Sequence, residues 1–315
     1  MRDAFVSALT ELAARDERIM IITGDLGFGV LTEFAQRFPR QFLNAGVAEQ
    51  NMTGVATGLA LEGRTVFTYS IGNFPTLRCL EQVRNDACYH QANVKVVCVG
   101  GGFSYGALGI SHHATEDLSI MRSLPGMTVV APGDRWETGE ATKAVAALEG
   151  TCYLRLDKSF APPTRAAEER FVLGRARVVR EGGALTIIAA GGILGEVLKA
   201  ADSLFAEGLP VRVVSMHTIK PLDKTAVLEA CRETGGMMTV EEHTTAGGLG
   251  SAVAEVCMDE DCHPRRFVRL GLQQGFSSIV GSQAYLRSRY GLDAAAIAAA
   301  AVKLLGSTPR KQVGL

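Results

Sequence analysis

Three stretches of this chain gather residues that could do chemistry, and each follows a run that reads as a strand. In Gly24-Asp25-Leu26-Gly27-Phe28-Gly29 a carboxylate stands directly after an apolar run, among glycines that let backbone approach a ligand. It lacks the G-x-G-x-x-G order, and no G-x-x-x-x-G-K-[ST] occurs in the chain, so alone it reads as a turn. The second stretch, Asn44 to Met52, places Glu49 in the first turn of a helix that continues with Gly54, Ala56, Gly58 and Ala60. An acid there meets the helix dipole and needs no chemistry to explain it, but the glycine and alanine surface suits close contact with another helix or chain. The third, Gly100 to Asp117, is a long glycine-rich loop ending in His112, His113, Glu116 and Asp117. Such a loop is costly in conformational entropy, which points to a job. A metal site needs further ligands at suitable spacing, and His90, His217, His243 and His263 offer none nearby. Proton transfer is the better use of these histidines, and no metal site is expected in this chain.

The elements that must position these loops follow from hydrophobic period. Phe5, Ala8, Leu9 and Leu12 fall at helical spacing from Arg2 to Ala14, and Ile19 to Ile22 is a short apolar run. The alternation continues with helices through 52–61, 77–90 and 138–148 and strands at 65–69, 94–99, 128–130 and 152–156. Between Asp157 and Gly183 it lapses into Ala-Pro-Pro and a charged stretch, the expected domain junction. A second alternating block has strands at 185–190, 211–215, 237–240 and 267–270 and helices at 195–206, 223–231, 251–258 and 293–305. The fold class expected is α/β, two doubly wound domains with mainly parallel sheets, over residues 1–165 and 180–315.

Composition narrows the function classes. With 32 Lys+Arg against 33 Asp+Glu and a net charge of −1, the chain lacks the footprint needed for non-specific nucleic-acid or membrane-surface binding. No run reaches the roughly 18 apolar residues of a spanning helix. The opening Met1-Arg2-Asp3 has no signal-peptide pattern, and the seven cysteines form no C-x-x-C pair. A cytoplasmic protein with reduced, mostly buried thiols is expected.

The runs NAGVAEQNMTGVATGLALEG, GISHHATEDLSIMRSLPGMTVVAP, VRVVSMHTIKPLD and TVEEHTTAGGLGSAVAE, in that order, resemble the C-terminal half of the transketolase family. That half comprises the pyrimidine-binding domain of thiamine-diphosphate enzymes followed by a transketolase C-terminal-like domain. The family holds thiamine diphosphate between two chains, its diphosphate and Mg2+ on a domain with a G-D-G motif that is missing here. The resemblance therefore implies a split transketolase that transfers a two-carbon ketol unit from a ketose to an aldose. It also implies a separate partner subunit carrying the diphosphate domain and the Mg2+, in an α2β2 heterotetramer.

Residue by residue, the resemblance makes Glu49 the catalytic carboxylate that hydrogen-bonds the cofactor's aminopyrimidine, and Phe74 the aromatic that stacks on that ring. A core aromatic at a helix start is the plainer reading of Phe74. Asp25 falls on a loop acid near the cofactor. On the same resemblance His112 faces the reactive carbon and the substrate oxygens, and His113, standing where the family often has Gln, is expected to bind substrate beside it. Arg2 and Lys158 fall on two arginines that grip a sugar phosphate, Lys158 offering a point charge without the bidentate fork. Gly29 and Gly100 replace a serine and a histidine of the same site, and Leu108 an aspartate near the donor's hydroxyl. These losses favour a modified or unphosphorylated donor, or another small 2-oxo compound. The alternatives are the β subunit of a 2-oxo-acid dehydrogenase and a non-catalytic partner subunit.

Overall fold

The computed structural model describes residues 1–165, 168–273 and 275–306. The expected second domain runs to 315, so its last nine residues lie outside the described ones. Among the described residues there are twelve strands: β1 Ile19–Thr23, β2 Phe42–Asn44, β3 Thr65–Ile71, β4 Val94–Val99, β5 Thr128–Val130, β6 Cys152–Leu156, β7 Arg177–Arg180, β8 Thr186–Ala190, β9 Arg212–Ser215, β10 Thr218–Lys220, β11 Met237–Thr244 and β12 Phe267–Leu272. Seven form one sheet in the order β10-β5-β6-β4-β3-β1-β2, five another in the order β12-β11-β8-β9-β7. All pairings are parallel except the edge strands β10 and β7, which run antiparallel to β5 and β9.

Strands β1, β4, β6 and β8 are buried at every position, because helices cover both faces of a parallel sheet and leave no side for polar residues. Alternate residues of β1 divide between those faces. Ile19 and Ile21 pack with Phe5 and Leu9 of the helix Arg2–Ala13, whereas Met20 and Ile22 pack with Met52 and Ala56 of the helix Glu49–Leu61. In the second sheet Ile187 and Ala189 face Val197, Leu204 and Ile297. Ile188 and Val214 turn the other way, into an apolar core that they share with Leu118, Met121 and Met127 of the first sheet's helices and loops. The two sheets are thus joined by continuous hydrophobic packing.

The structure differs from the sequence expectation in several places, beginning with the unexpected strand β2 and the short helices Thr32–Arg37 and Gln283–Arg289. Strand β10, inside the second block, crosses over to close the edge of the first sheet at β5. Strand β7 lies within the expected junction. The helix expected over 77–90 begins at Leu80 and widens to π-helical winding over Val83–Cys88. The loop from Gly100 to Glu116 is packed along its arms and exposed at its tip: Phe103, Ser104, Gly106, His113 and Ala114 are buried, Leu108 and Ile110 are exposed, and Gly102 and Ala114 bridge the two arms.

Candidate active site

Glu49 opens the helix Glu49–Leu61 just beyond the carboxyl end of β2, at the mouth of the first sheet where α/β folds bind ligands. Its side chain is 4% exposed, walled by Gly24 so closely that a Cβ there would meet Glu49 Cγ at 3.3 Å. Among the described residues its charged partner is Arg78, whose Nη1 donates to Oε2 at 2.9 Å. The same guanidinium lies 4.5 Å from the centre of the Phe74 ring. Arg78 follows Phe74 by four residues, so one turn of chain brings both to one surface.

From Phe74 the contacts continue toward the long loop. The His112 ring stands edge-on to Phe74 at 5.2 Å between centroids, and Tyr105 lies 6.2 Å beyond. Lys158 Nζ sits 3.8 Å over the Tyr105 ring. Glu49, Phe74, His112 and Lys158, widely separated in sequence, therefore stand in one line, with Arg78 and Tyr105 as the links that sequence reading missed. Arg78 could have been found from its spacing to Phe74. Tyr105, an aromatic among glycines, gives no such signal.

Burial and its neighbour His113 hold the His112 pKa below the ordinary histidine value, so the ring is neutral at pH 7. Its Nδ1 is 2.9 Å from Ser111 Oγ, and none of the described hydrogen bonds engages Nε2. Asn73 holds this end of the loop, its Nδ2 donating to the His113 carbonyl at 2.9 Å. His113 itself requires a correction. It is fully buried, with Nε2 3.1 Å from the Gly106 carbonyl and its ring edge-on to Phe103 at 5.1 Å. It braces the loop from inside instead of lining a substrate site.

The other expected residues stand apart from the line. Asp25, next to Gly24, takes a left-handed φ of 56°, an uncommon conformation for a residue with a Cβ. A reciprocal pair of 3.0 Å hydrogen bonds ties it to Asn44, which also receives the Gly46 amide. Arg2 pairs with Asp3 at the surface and lines a cavity of about 650 Å³ with Arg15, Gly29, Glu33 and Arg37.

Beneath the site runs a buried ionic frame. Arg155 on β6 donates from Nε to Asp117 Oδ2 at 2.9 Å and from Nη2 to the carbonyls of Ala114 and Glu242. Tyr153 donates to the same Asp117 oxygen at 2.5 Å. Glu242 on β11 accepts from the Phe103 amide at 2.5 Å, from Gln283 Nε2 at 2.9 Å and from Arg287. The two arms of the loop that carries His112 are thus fixed from different sheets, the Phe103 arm by Glu242 of the second and the Ala114 arm by Arg155 of the first. A lone Arg within the apolar run of β6 and the Glu pair of β11 are its sequence traces.

A thiamine cofactor can be tested against these residues. Its aminopyrimidine is a flat ring with N–H donors, and the Arg78 guanidinium, also flat and rich in N–H, already lies on Phe74 and bonds Glu49. An aromatic face with a dry carboxylate at its edge fits such a ring. Among the described residues, no three His, Cys, Asp or Glu side chains are grouped to hold a metal ion.

The comparisons with known proteins agree along the whole length. The family model for the transketolase pyrimidine-binding domain matches residues 1–163, and that for the transketolase C-terminal domain residues 174–297. A 6-deoxy-6-sulfo-D-fructose transketolase subunit, SqwH, from a Clostridium species is 39% identical over 96% of this chain and 93% of its own. An apulose-4-phosphate transketolase component from Phocaeicola vulgatus is 37% identical over 96% of this chain and 97% of its own. A solved split-gene transketolase, described as an inactive β4 tetramer, superposes with a TM-score of 0.86 at 39% identity over 97% of both chains. With both family models matched in order and relatives aligned end to end, this chain belongs to the transketolase family, as the half that carries the pyrimidine-binding and C-terminal domains.

Proposed function

We propose that this chain is one component of a two-component, thiamine-diphosphate-dependent transketolase, transferring a two-carbon ketol unit between a ketose and an aldose. The observation that carries this reading is the unbroken line from the buried Glu49 carboxylate through Phe74 and His112 to Lys158. When bound, the cofactor supplies the nucleophilic carbon that takes up the transferred unit. Glu49 accepts a hydrogen bond from the aminopyrimidine, and Phe74 gives that ring a face to lie on. For Glu49 to do so, Arg78 must yield the carboxylate. Buried at the site, Glu49 acts where a preorganised bond is worth far more than in water. His112, neutral at pH 7, takes or gives a proton at a substrate oxygen. Asp25 and Asn44 shape the turn beside the cofactor, and Arg2 and Lys158 hold the donor's far end.

The site is open on one side. Phe28, Val47, Leu77, Leu108 and Ile110, from the loops that carry it, are exposed, and a partner subunit bringing the diphosphate domain and Mg2+ would cover them. The matched structure described as an inactive β4 tetramer supports that dependence. An α2β2 heterotetramer in the cytoplasm follows as the working form; free thiols at all seven cysteines suit that compartment. The donor is a modified ketose, a reading supported by relatives named for 6-deoxy-6-sulfo-D-fructose and apulose 4-phosphate. To test the reading, the chain and its companion half are titrated with thiamine diphosphate and Mg2+ separately and mixed. Saturable binding and ketol transfer are expected only of the mixture; turnover by this chain alone would overturn it.

A further inference from the structure

Resting on that reading, we propose that Tyr105 is a specificity-determining residue: it fills the space above Gly100 and carries Lys158 on its ring. The donor's far end then meets an ammonium backed by an aromatic surface. Gly100 has a φ of +95°, and a Cβ built there would lie 2.2 Å from Tyr105 Cε2. The ring therefore occupies the place of any side chain at 100, and glycine is what admits it. Gly29 differs: a Cβ there would meet nothing within 4 Å. Of the two glycines near the donor's anionic end, one is refilled from elsewhere in the chain and the other is open.

The ring also sets distances. It stands 6.2 Å from His112, where substrate oxygens react, and 3.8 Å from Lys158 Nζ, where an anionic end would lie. A ketose spanning these points must run along Tyr105. Desolvation and the positive charge of Arg2 hold the Lys158 pKa below its ordinary value, and none of its described contacts is a carboxylate. Arg2 already has Asp3 as its partner, whereas among the described contacts the Lys158 ammonium has only the Tyr105 ring, so a charge balance at Lys158 waits for an anion. An ammonium on a ring face supplies charge without directional fork geometry. The site is thus built for an anion at the ketose's far end without the contacts that single out phosphate.

The experiment compares wild type, Tyr105→Phe and Tyr105→Leu in the reconstituted complex, with ketoses whose far end is a sulfonate, a phosphate or a neutral hydroxyl. Losing the cation–π support raises KM for the anionic ketoses roughly 3- to 30-fold in Tyr105→Leu, several-fold more than for the neutral one and more than kcat falls. Tyr105→Phe stays near wild type. Equal losses in kcat and in every KM, or a Phe variant as poor as Leu, overturn the proposal. A second readout needs no turnover. Acetylation of Lys158 in this chain, followed by mass spectrometry, is slowed by inorganic sulfate and phosphate in wild type and in Tyr105→Phe, but far less in Tyr105→Leu. Equal protection in all three overturns the cradle. Absence of transfer by wild type, with this protection pattern intact, counts against the ketol-transfer reading instead.

Discussion

Replacing Glu49 by Gln separates what the carboxylate does for the fold from what it does for the cofactor. The side chain is buried, but its charged partner Arg78 is 47% exposed, so a guanidinium left without an anion can turn to water. Glutamine also keeps the shape against Gly24 and one oxygen that accepts from Arg78. The stability cost should then stay near the roughly 1 kcal/mol ceiling of an exposed pair, well short of the about 3–5 kcal/mol of breaking a fully buried one. Toward the cofactor, an amide is a far weaker acceptor for the aminopyrimidine. Loss of one such preorganised bond in a dry site costs about 10²–10³ in rate, about 2.7–4 kcal/mol. The assay is hydrogen–deuterium exchange at the reactive carbon of thiamine diphosphate bound to the complex, quenched and read by NMR. Thermal unfolding of the same preparation controls for the fold. Exchange slowed by two to three powers of ten with an almost unchanged melting temperature is the expected result. Exchange as fast as in wild type would falsify the role given to Glu49.

Three further outcomes are expected. His112→Ala should lower kcat by roughly 10²–10⁴ if the ring moves a proton, whereas His113→Gln should act mainly through loop stability; steady-state kinetics beside melting curves tell them apart. Asp117→Asn removes the buried negative charge that Arg155 is paired with and that Tyr153 donates to and should cost about 3–5 kcal/mol in urea unfolding; a loss under about 1 kcal/mol would refute the frame. His217, stacked on Phe171 at 4.2 Å with burial pushing its pKa down to about 4, is protonated in the unfolded chain near pH 6.5 but stays neutral in the fold. Between those values the unfolded state binds the extra proton, so stability should fall as pH drops from 6.5 to 4, by about 3 kcal/mol in all. His217→Phe should flatten that slope in urea titrations at pH 7 and pH 5.

The central strands were legible in the sequence because they are buried on both faces and so read as largely apolar runs, as in β4 and β8, while the helices showed in their 3.6-residue period. The strands that were not legible are edges, although β12, also an edge, was read. Strand β2 is three residues long, β7 is Arg-Val-Val-Arg, and β10, Thr-Ile-Lys, takes its partner from the other sheet. Their pairing is set by tertiary context, which no local period encodes. The site divides similarly. Glu49 and Phe74 came from motifs, whereas Arg78 and Tyr105 matter through what they lie against. His113 packs inward against Phe103 and the Gly106 carbonyl while His112 stays near the surface, a difference set by tertiary packing that two adjacent letters do not encode.

The crossover of β10 bears on how the chain is made. During synthesis, residues 1–165 leave the ribosome with every other strand of the first sheet present, yet the outer edge of β5 stays unpaired until Thr218–Lys220 has emerged. An open strand edge is a template for pairing with another chain. Nascent chains on one message therefore pass through a window in which the first half is vulnerable to its neighbours. The same dependence means that a fragment cut in the junction and expressed alone carries that edge permanently.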